Sequence, residues 1–126
     1  MKVLHIVETA YRATLEEQDD PVLWLVHVLR NAGADVAILL QGSAVSYAVR
    51  TQDATGLAFG NWRQTRPPSI TTALAALIRD GVTIYAIGED LADRGIHESR
   101  RTAAVLPLPR SQVPELFDRF DQVWQW

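Results

Sequence analysis

Three short and almost uninterrupted apolar runs constrain the fold more than any other feature of the sequence. They are KVLHIV (Lys2–Val7), DVAILLQ (Asp35–Gln41) and VTIYAI (Val82–Ile87). Runs of this length, rich in β-branched residues and without regular polar alternation, are typical of strands that are covered on both faces of a parallel sheet. Parallel strands need long crossover connections, so the segments between these runs should contain helices.

Helix start and stop signals fill the intervening segments. Asp20 and Pro21 form an N-cap and a first helical residue, and the apolar stretch that follows ends at Gly33. Helical spacing of apolar residues, N-caps or glycine stops indicate helices elsewhere as well. The predicted helices cover residues 21–33, 43–49, 69–81, 89–95 and 111–120.

The alternation of strands and helices predicts the fold class. Thr102–Leu106 and Val123–Gln125 are two weaker strand candidates, and Arg50–Pro68 has the glycines, prolines and weak periodicity of a long loop. A chain of 126 residues with 48% apolar content has the usual size of one domain. We therefore expect residues 1–126 to form a single three-layer α/β/α domain with a mainly parallel sheet of about five strands.

Composition excludes several classes of function. The chain has no cysteine, which rules out disulfides, thiolate metal ligands, thiol nucleophiles and persulfide carriers. The 12 basic residues form no dense run beside the 15 acidic ones, so direct binding to nucleic acid is not expected. Neither the dinucleotide fingerprint nor the phosphate-binding loop occurs, and we expect no cofactor.

The sequence also lacks the features of a membrane protein. No apolar stretch approaches the roughly 20 residues that cross a bilayer. Glu8 interrupts the first apolar run before it reaches the length of a signal-peptide core. We expect a soluble protein of the cytoplasm.

The third apolar run and its continuation resemble a known family. TIYAIGEDLADRGI (Thr83–Ile96) resembles the pattern V-Y-A-L-x-E-D-L-x-x-R-G-L of DsrH/TusB proteins. ADVAILLQGSAVSYAV (Ala34–Val49) and ETAYRAT (Glu8–Thr14) are similar to other parts of the DsrE/DsrF/DsrH family. Glu8-Thr9 stands where DsrE/TusD members have Gly-Pro, whereas the helix after Asp20 is more like DsrE, so the subfamily stays open.

This resemblance implies a DsrE/YchN-like fold and a place in sulfur relay, toward tRNA thiolation or sulfur oxidation. Sulfur-carrying members hold their reactive cysteine at the end of the third strand, a position that falls on Ile87 or Gly88 here. The chain is then expected to be a non-catalytic subunit of a homo-oligomer, or of a hetero-oligomer with cysteine-bearing DsrE/TusD-like subunits. The alternative is a small-ligand-binding or hydrolytic protein of the same fold.

In either case a site should lie beyond the carboxyl ends of the parallel strands. Its carboxylates suit acid–base chemistry, but as part of a helix N-terminus they equally compensate the helix dipole. Three scattered histidines lack the spacing of a metal motif, so we assign neither a metal site nor a catalytic residue. The candidate crevice residues are Glu8, Tyr11, Gln41, Ile87, Gly88, Glu89, Asp90, Arg94 and His97.

Two tryptophans near the end of the chain predict a contact surface. Trp124 and Trp126 are separated by one residue and would lie on the same side of a terminal strand. If both rings faced water, they would form an exposed apolar patch of the kind that marks an interface. Core packing is the alternative, and it is also the interpretation that we favour for His5 within the first strand.

Overall fold

The computed structural model describes residues 1–11, 20–52, 56–65, 67 and 69–126. Short 3-10 helices occupy Gly42–Ala48, Glu98–Arg100 and Arg110–Gln112. The α-helices are α1 (Pro21–Asn31), α2 (Ile70–Arg79), α3 (Gly88–Asp93) and α4 (Val113–Phe117). The strands are β1 (Lys2–Val7), β2 (Asp35–Leu40), β3 (Ala58–Phe59), β4 (Trp62–Arg63), β5 (Thr83–Ile87), β6 (Leu106–Leu108) and β7 (Gln122–Gln125).

Five parallel strands form the main sheet, in the order β6-β5-β2-β1-β7. The three strands in its centre are the three apolar runs. The chain proceeds from β1 through β2 and β5 to β6 in one direction and then crosses to the opposite edge to form β7. The predicted α/β class, with a parallel sheet of about five strands, is confirmed.

Apolar residues cover both faces of the central strands. Ile38 of β2 faces the larger cluster, to which α1, α2 and the first 3-10 helix contribute, whereas Leu39 faces a smaller cluster formed with α4. Both side chains are fully buried. Consecutive right-handed crossovers in one direction place their helices on the same face, and the return crossover places α4 on the other. This explains why the central strands lack polar alternation.

The two long helices are held by caps and by one half-buried arginine. Asp20 Oδ1 accepts hydrogen bonds from the backbone amides of Val22 and Leu23 at 2.9 and 3.0 Å, as the predicted N-cap should. At the other end of α1, Arg30 Nε donates to the carbonyl of Asp80 at 2.8 Å, next to the end of α2. Gly81 has φ +86°, a backbone conformation that favours glycine, and a Cβ built there would lie 3.2 Å from Arg30 Nη2.

The structure corrects the predicted strand at Thr102–Leu106. The strand is Leu106–Leu108. Thr102 N donates to the carbonyl of Ala48 at 2.8 Å, and an isolated bridge joins Arg101 to Val49. Because these contacts hold residues 101–102 against the segment after β2, the chain reaches the sheet only at Leu106.

Two other predicted segments also differ from the structure. The helix predicted over 111–120 is limited to α4 and a preceding 3-10 turn, since the amides of Arg119 and Phe120 bond to carbonyls three residues back. The predicted loop Arg50–Pro68 contains the β3–β4 hairpin, and residues 53–55, 66 and 68 lie outside the described residues. The short helix predicted over 43–49 is present as the 3-10 helix Gly42–Ala48. In the described residues, no helix is long and apolar enough to cross a membrane.

Trp124 of the edge strand β7 and Trp126, which follows that strand, both contact the buried His5. His5 is fully buried, its ring centroid lies 5.2 Å from that of Trp124, and it stacks on Trp126. Trp126 Nε1 donates to His5 Nδ1 at 3.2 Å. An indole nitrogen can only donate, so Nδ1 must be an unprotonated acceptor and the imidazole must be neutral. Burial lowers the pKa of His5 below its ordinary value, in agreement with this geometry.

The neutral state of His5 predicts that stability depends on pH. Below the ordinary histidine pKa of about 6.5, the unfolded chain binds a proton that the folded chain excludes. The free energy of unfolding should therefore be unaffected by His5 above that pH. It should fall by up to about 1.4 kcal/mol per pH unit below it, until the pH reaches the lowered pKa. Urea unfolding followed by tryptophan fluorescence measures this slope.

His5→Asn is the informative variant, because its side-chain carbonyl can replace Nδ1 as the acceptor but does not titrate. Its stability should decline less steeply than that of the wild type between pH 6.5 and 5, a window given roughly by the histidine titration range. His97→Asn, at an exposed position, is the control and should keep the wild-type slope. Equal slopes for the wild type and His5→Asn would contradict the assignment of His5 as the buried neutral histidine.

Candidate functional site

The carboxyl ends of β1, β2 and β5 meet at one edge of the sheet, as predicted. Gln41, which follows β2, donates its amide hydrogen to the carbonyl of Val7 at 3.0 Å. The amide of Gly42 donates to Asp90 Oδ2 at 2.8 Å, which ties the end of β2 to the first turn of α3. Gly42 has φ +55°, and a side chain there would lie 3.2 Å from the carbonyl oxygen of Glu8. The chain can make this close turn only with glycine.

Asp90 and Glu89 are both bound by an arginine that sequence reasoning did not single out. Arg110 Nη2 lies 2.6 Å from Asp90 Oδ1, and the backbone amide of Arg110 donates to the two Glu89 carboxylate oxygens at 3.1 and 2.9 Å. Asp90 is buried, and it accepts from Gly42 as well. Its charge is thus compensated by a guanidinium and an amide. Both carboxylates also lie in the first turn of α3, where the helix dipole favours them.

Glu8 takes part in a second set of contacts at the end of β1. Its Oε2 accepts a hydrogen bond from Gln125 Nε2 of the edge strand at 3.1 Å. Its carbonyl accepts from Ser43 Oγ at 3.2 Å, and Ser43 Oγ in turn accepts from the amide of Ala10 at 3.1 Å. These bonds hold the first loop against the segment after β2.

The exposed residue Tyr11 is bonded to a buried pair, Tyr47 and Asp20. The amide of Tyr11 donates to Tyr47 Oη at 2.6 Å, and the two rings meet edge to face with centroids 5.2 Å apart. Tyr47 Oη donates to Asp20 Oδ2, while the other oxygen of that carboxylate caps α1. Tyr11 itself has φ +58°, an uncommon conformation for a bulky residue, and its hydroxyl donates to Gln52 Oε1 at 2.7 Å.

Burial and the adjacent Asp20 carboxylate raise the pKa of Tyr47 far above its ordinary value, so its hydroxyl remains a hydrogen donor. Tyr47 was not among the predicted site residues. Its one sequence signal is an aromatic residue in a short segment that carries only small and aliphatic neighbours. Nothing local to Tyr47 indicates that Asp20, on α1, would be its partner.

Ile87 and Gly88, the two positions that the family resemblance aligns with a sulfur-carrying cysteine, differ in burial. Ile87 is fully buried and packs with Leu108 and Leu116 on the α4 side of the sheet. Gly88 is half-buried, and a Cβ built there would lie 3.7 Å from the carbonyl oxygen of Leu108, an ordinary contact. Gly88 therefore has room for a small side chain, whereas Ile87 fills a part of the core.

Arg94 and His97 are not brought to the strand ends. Arg94 follows α3, and the five residues that separate it from Glu89 correspond to about 7 Å of helix rise. His97 is exposed and precedes the 3-10 turn Glu98–Arg100. The structure thus places seven of the nine predicted crevice residues at the carboxyl edge of the sheet or on the loop that follows β1, and these two at the far end of α3.

The polar groups of the strand ends are mostly engaged with one another, and this limits what the edge can do chemically. Glu8, Glu89 and Asp90 each accept hydrogen bonds from other parts of the chain. Across the described ranges, no group of three or more acidic or histidine side chains is close enough to hold a metal ion. The edge has the character of a structural junction between β1, β2, β5 and the segment after β6.

The hydrogen bond from Tyr47 to Asp20 can be tested directly by substitution. Tyr47→Phe removes the hydroxyl that donates to Asp20 and accepts from the amide of Tyr11, so two buried polar groups lose a partner. We expect the free energy of unfolding to fall by about 1–3 kcal/mol, as measured by urea denaturation. Tyr85→Phe is the matched control, since that half-buried tyrosine makes its packing contacts through its ring. Equal losses for the two variants would contradict the role of the Tyr47 hydroxyl.

The fold is shared with solved structures, although their sequences differ widely. No protein-family model matches the chain, and no curated protein sequence is significantly similar to it. The ychN protein of E. coli superimposes with a TM-score of 0.71 at 18% identity, covering 100% of both chains. BT1422 of Bacteroides thetaiotaomicron gives 0.68 at 15% identity, over 99% of this chain and 94% of the other. MTH1491 of Methanobacterium thermoautotrophicum gives 0.66 at 12% identity, over 99% and 98%.

BT1422 and MTH1491 are described as proteins of unknown function, and at these identities the likeness concerns the fold. The alignment with the ychN chain extends over the full length of both proteins. The chain has the YchN-like, DsrE-like α/β fold.

Proposed function

We propose that this protein is a cysteine-free, non-catalytic subunit of a sulfur-relay assembly in the cytoplasm. The observation that carries the proposal is the end of β5 in a DsrE-like fold, where the family resemblance aligns the sulfur-carrying cysteine with Ile87 or Gly88. Persulfide transfer requires a thiolate sulfur, which neither residue can supply. The local motif at Thr83–Ile96 is most similar to that of DsrH/TusB, while the subfamily stays open.

The engaged polar groups at the strand ends support a structural role. Asp90 is bound by Arg110 and Gly42, and Glu8 by Gln125. A general acid or base would have to leave these partners before it could reach a substrate. The alternative proposal, a hydrolytic or ligand-binding crevice at the strand ends, has less support for this reason.

An assembly needs a contact surface, and the edge strand β7 has the properties of one. Trp126 is bonded to β1 through both its amide and its carbonyl, so by alternation the backbone groups of Val123 and Gln125 point away from the sheet. Val123 and Trp124 are 38% and 37% exposed, on opposite faces of the strand. An open edge flanked by apolar side chains is a template for pairing with another chain.

The partner that we propose at this edge is a DsrE-like chain, either a second copy or a cysteine-bearing DsrE/TusD-like subunit. Trp126 is less available for contact than Trp124, because it packs against the larger core cluster. Trp124 is therefore the tryptophan that we assign to the interface.

Substitution of Trp124 tests the interface. Light scattering and native mass spectrometry of the purified protein, alone and with cysteine-bearing homologues, should reveal an assembly. Trp124→Ala should raise its dissociation constant about tenfold or more, as the loss of a central aromatic contact does. Trp24→Ala is the control, since this residue is an exposed tryptophan on α1, and it should leave the assembly intact.

Because Trp124 also contacts His5, a second variant separates assembly from folding. Val123→Pro removes an amide hydrogen that points away from β1, a position at which an edge strand tolerates proline. It should dissociate the assembly while the circular dichroism spectrum stays unchanged. A protein that is monomeric at all concentrations, with and without the homologues, would refute the proposal.

Two cysteine variants test the assignment of the strand end. Since the natural chain has no cysteine, each variant has one thiol and labelling is unambiguous. Gly88→Cys should fold normally and react readily with a thiol reagent. Ile87→Cys should react slowly and lose roughly 1–3 kcal/mol of stability, because it removes buried methyl groups from the core. The measurements are the labelling rate by mass spectrometry and the midpoint of urea unfolding.

If the strand end corresponds to the carrier position, Gly88→Cys should also accept sulfur from a persulfide donor, and Ile87→Cys should do so far more slowly. Ser43→Cys, at an exposed position near the same edge, controls for thiol exposure alone. Equal persulfide loading of all three variants would contradict a specific carrier position at the end of β5.

A further inference from the structure

A separate cavity beside the end of α3 is lined by two arginines. Its volume is about 220 Å³, and its walls are formed by Ser46, Val49, Arg94, Gly95, Ile96 and Arg100. The cavity lies between the 3-10 helix after β2, the turn after α3 and the 3-10 turn Glu98–Arg100. We propose that it binds a small tetrahedral oxyanion, of the size and charge of phosphate or sulfate.

The charges of the cavity favour an anion. Within the described residues, the guanidinium groups of Arg94 and Arg100 have no ion pair and no hydrogen bond. Arg110, by contrast, is paired with Asp90. A guanidinium carries a permanent charge and presents donors in a planar fork that fits the oxygens of phosphate or sulfate. Arg94 and Arg100 both line the cavity, so its rim carries two unpaired positive charges in a chain whose net charge is −3.

Hydrogen bonds fix the backbone of the 3-10 turn that carries Arg100. The amide of Arg50 donates to the carbonyl of Arg100 at 2.9 Å, and Arg50 Nη2 donates to the carbonyl of Ser99 at 2.7 Å. On the next residues, Arg101 bridges to Val49, and Thr102 bonds to Ala48. These contacts join the 3-10 turn to the segment after β2. Little ordering of the backbone is then needed when a ligand binds, which lowers the entropic cost of binding.

The volume of the cavity indicates which anions it can hold. Pockets for drug-sized ligands usually span about 300–1,000 Å³, and this cavity is smaller than that range. It has room for a tetrahedral group, either a free oxyanion or the terminal phosphate of a small organic ester. The Ser46 hydroxyl, which is half-buried and lines the same cavity, is a further donor for an anion oxygen.

This site is distinct from the strand-end junction and from the β7 edge, so it does not depend on the proposed assembly. Of the predicted crevice residues, it includes Arg94 alone. His97 lies in the turn between the two arginines, but it is not part of the cavity lining. The proposed role of Arg94 in binding an anion therefore does not involve Glu89 or Asp90.

Titration of the full-length protein with inorganic phosphate and with sulfate, at constant ionic strength maintained with chloride, tests the proposal. Amide chemical-shift changes should saturate and should centre on residues 46–50 and 94–101. Arg94→Gln and Arg100→Gln should each raise the dissociation constant about tenfold or more, the usual effect of losing one charge-assisted contact. Arg79→Gln, an exposed arginine at the end of α2, removes the same charge elsewhere and should not change the affinity.

A parallel titration with glycerol phosphate distinguishes the two sources of the oxyanion. Tighter binding of the ester assigns the cavity to the phosphate of an organic molecule, and tighter binding of the inorganic ions assigns it to a free oxyanion. Both variants are at exposed positions, and unchanged circular dichroism spectra confirm that they fold. Shift changes that do not saturate, or that are the same in Arg94→Gln, Arg100→Gln and Arg79→Gln, would overturn the proposal.

Discussion

The rest of the structure depends on the burial of the central strands on both faces. Ile38 and Leu39 are neighbours in β2, and each is fully enclosed, one beneath α1 and α2 and the other beneath α4. Such a strand leaves no face for polar chemistry. Apart from the neutral His5 in β1, the polar groups described above lie at the strand ends, on the helices and in the connecting segments, and the proposed functions are confined to those places and to the edge of the sheet.

At the strand ends, the polar groups mainly connect segments that are distant in the chain. Arg110 joins the segment after β6 to both Glu89 and Asp90 of α3. Asp90 also accepts a hydrogen bond from the amide of Gly42, which follows β2. Tyr47 does the same between Asp20 and the amide of Tyr11. A carboxylate that is buried in such contacts contributes to stability and is poorly available for proton transfer. This is the physical basis for preferring a structural subunit over an enzyme.

The unpaired arginines beyond α3 lie outside that junction, and they provide the clearest unfilled donors in the described part of the chain.

Much of the fold could be predicted because its signals are local. The three apolar runs became β1, β2 and β5, and the Asp20 N-cap and the Gly81 stop mark real helix boundaries. One error occurred where a distant contact decides the conformation. Thr102 was assigned to a strand from its neighbours, but its amide is taken by Ala48, and a segment committed to that contact cannot join the sheet. The last helix is shorter than its apolar spacing suggests because its final turns tighten into 3-10 geometry.

By itself, the sequence determined the α/β class, the buried central strands and the absence of any thiol, since composition and periodicity act at the level of single residues and their close neighbours. Tertiary structure alone decided which polar groups meet. Tyr47 lies 27 residues from Asp20, Arg110 lies 20 from Asp90, and Trp126 lies 121 from His5. It also placed Arg94 away from Glu89 and Asp90, on a cavity whose lining includes Arg100. Pairings of this kind depend on which crossovers place which turns side by side, and no local pattern of residues encodes that arrangement.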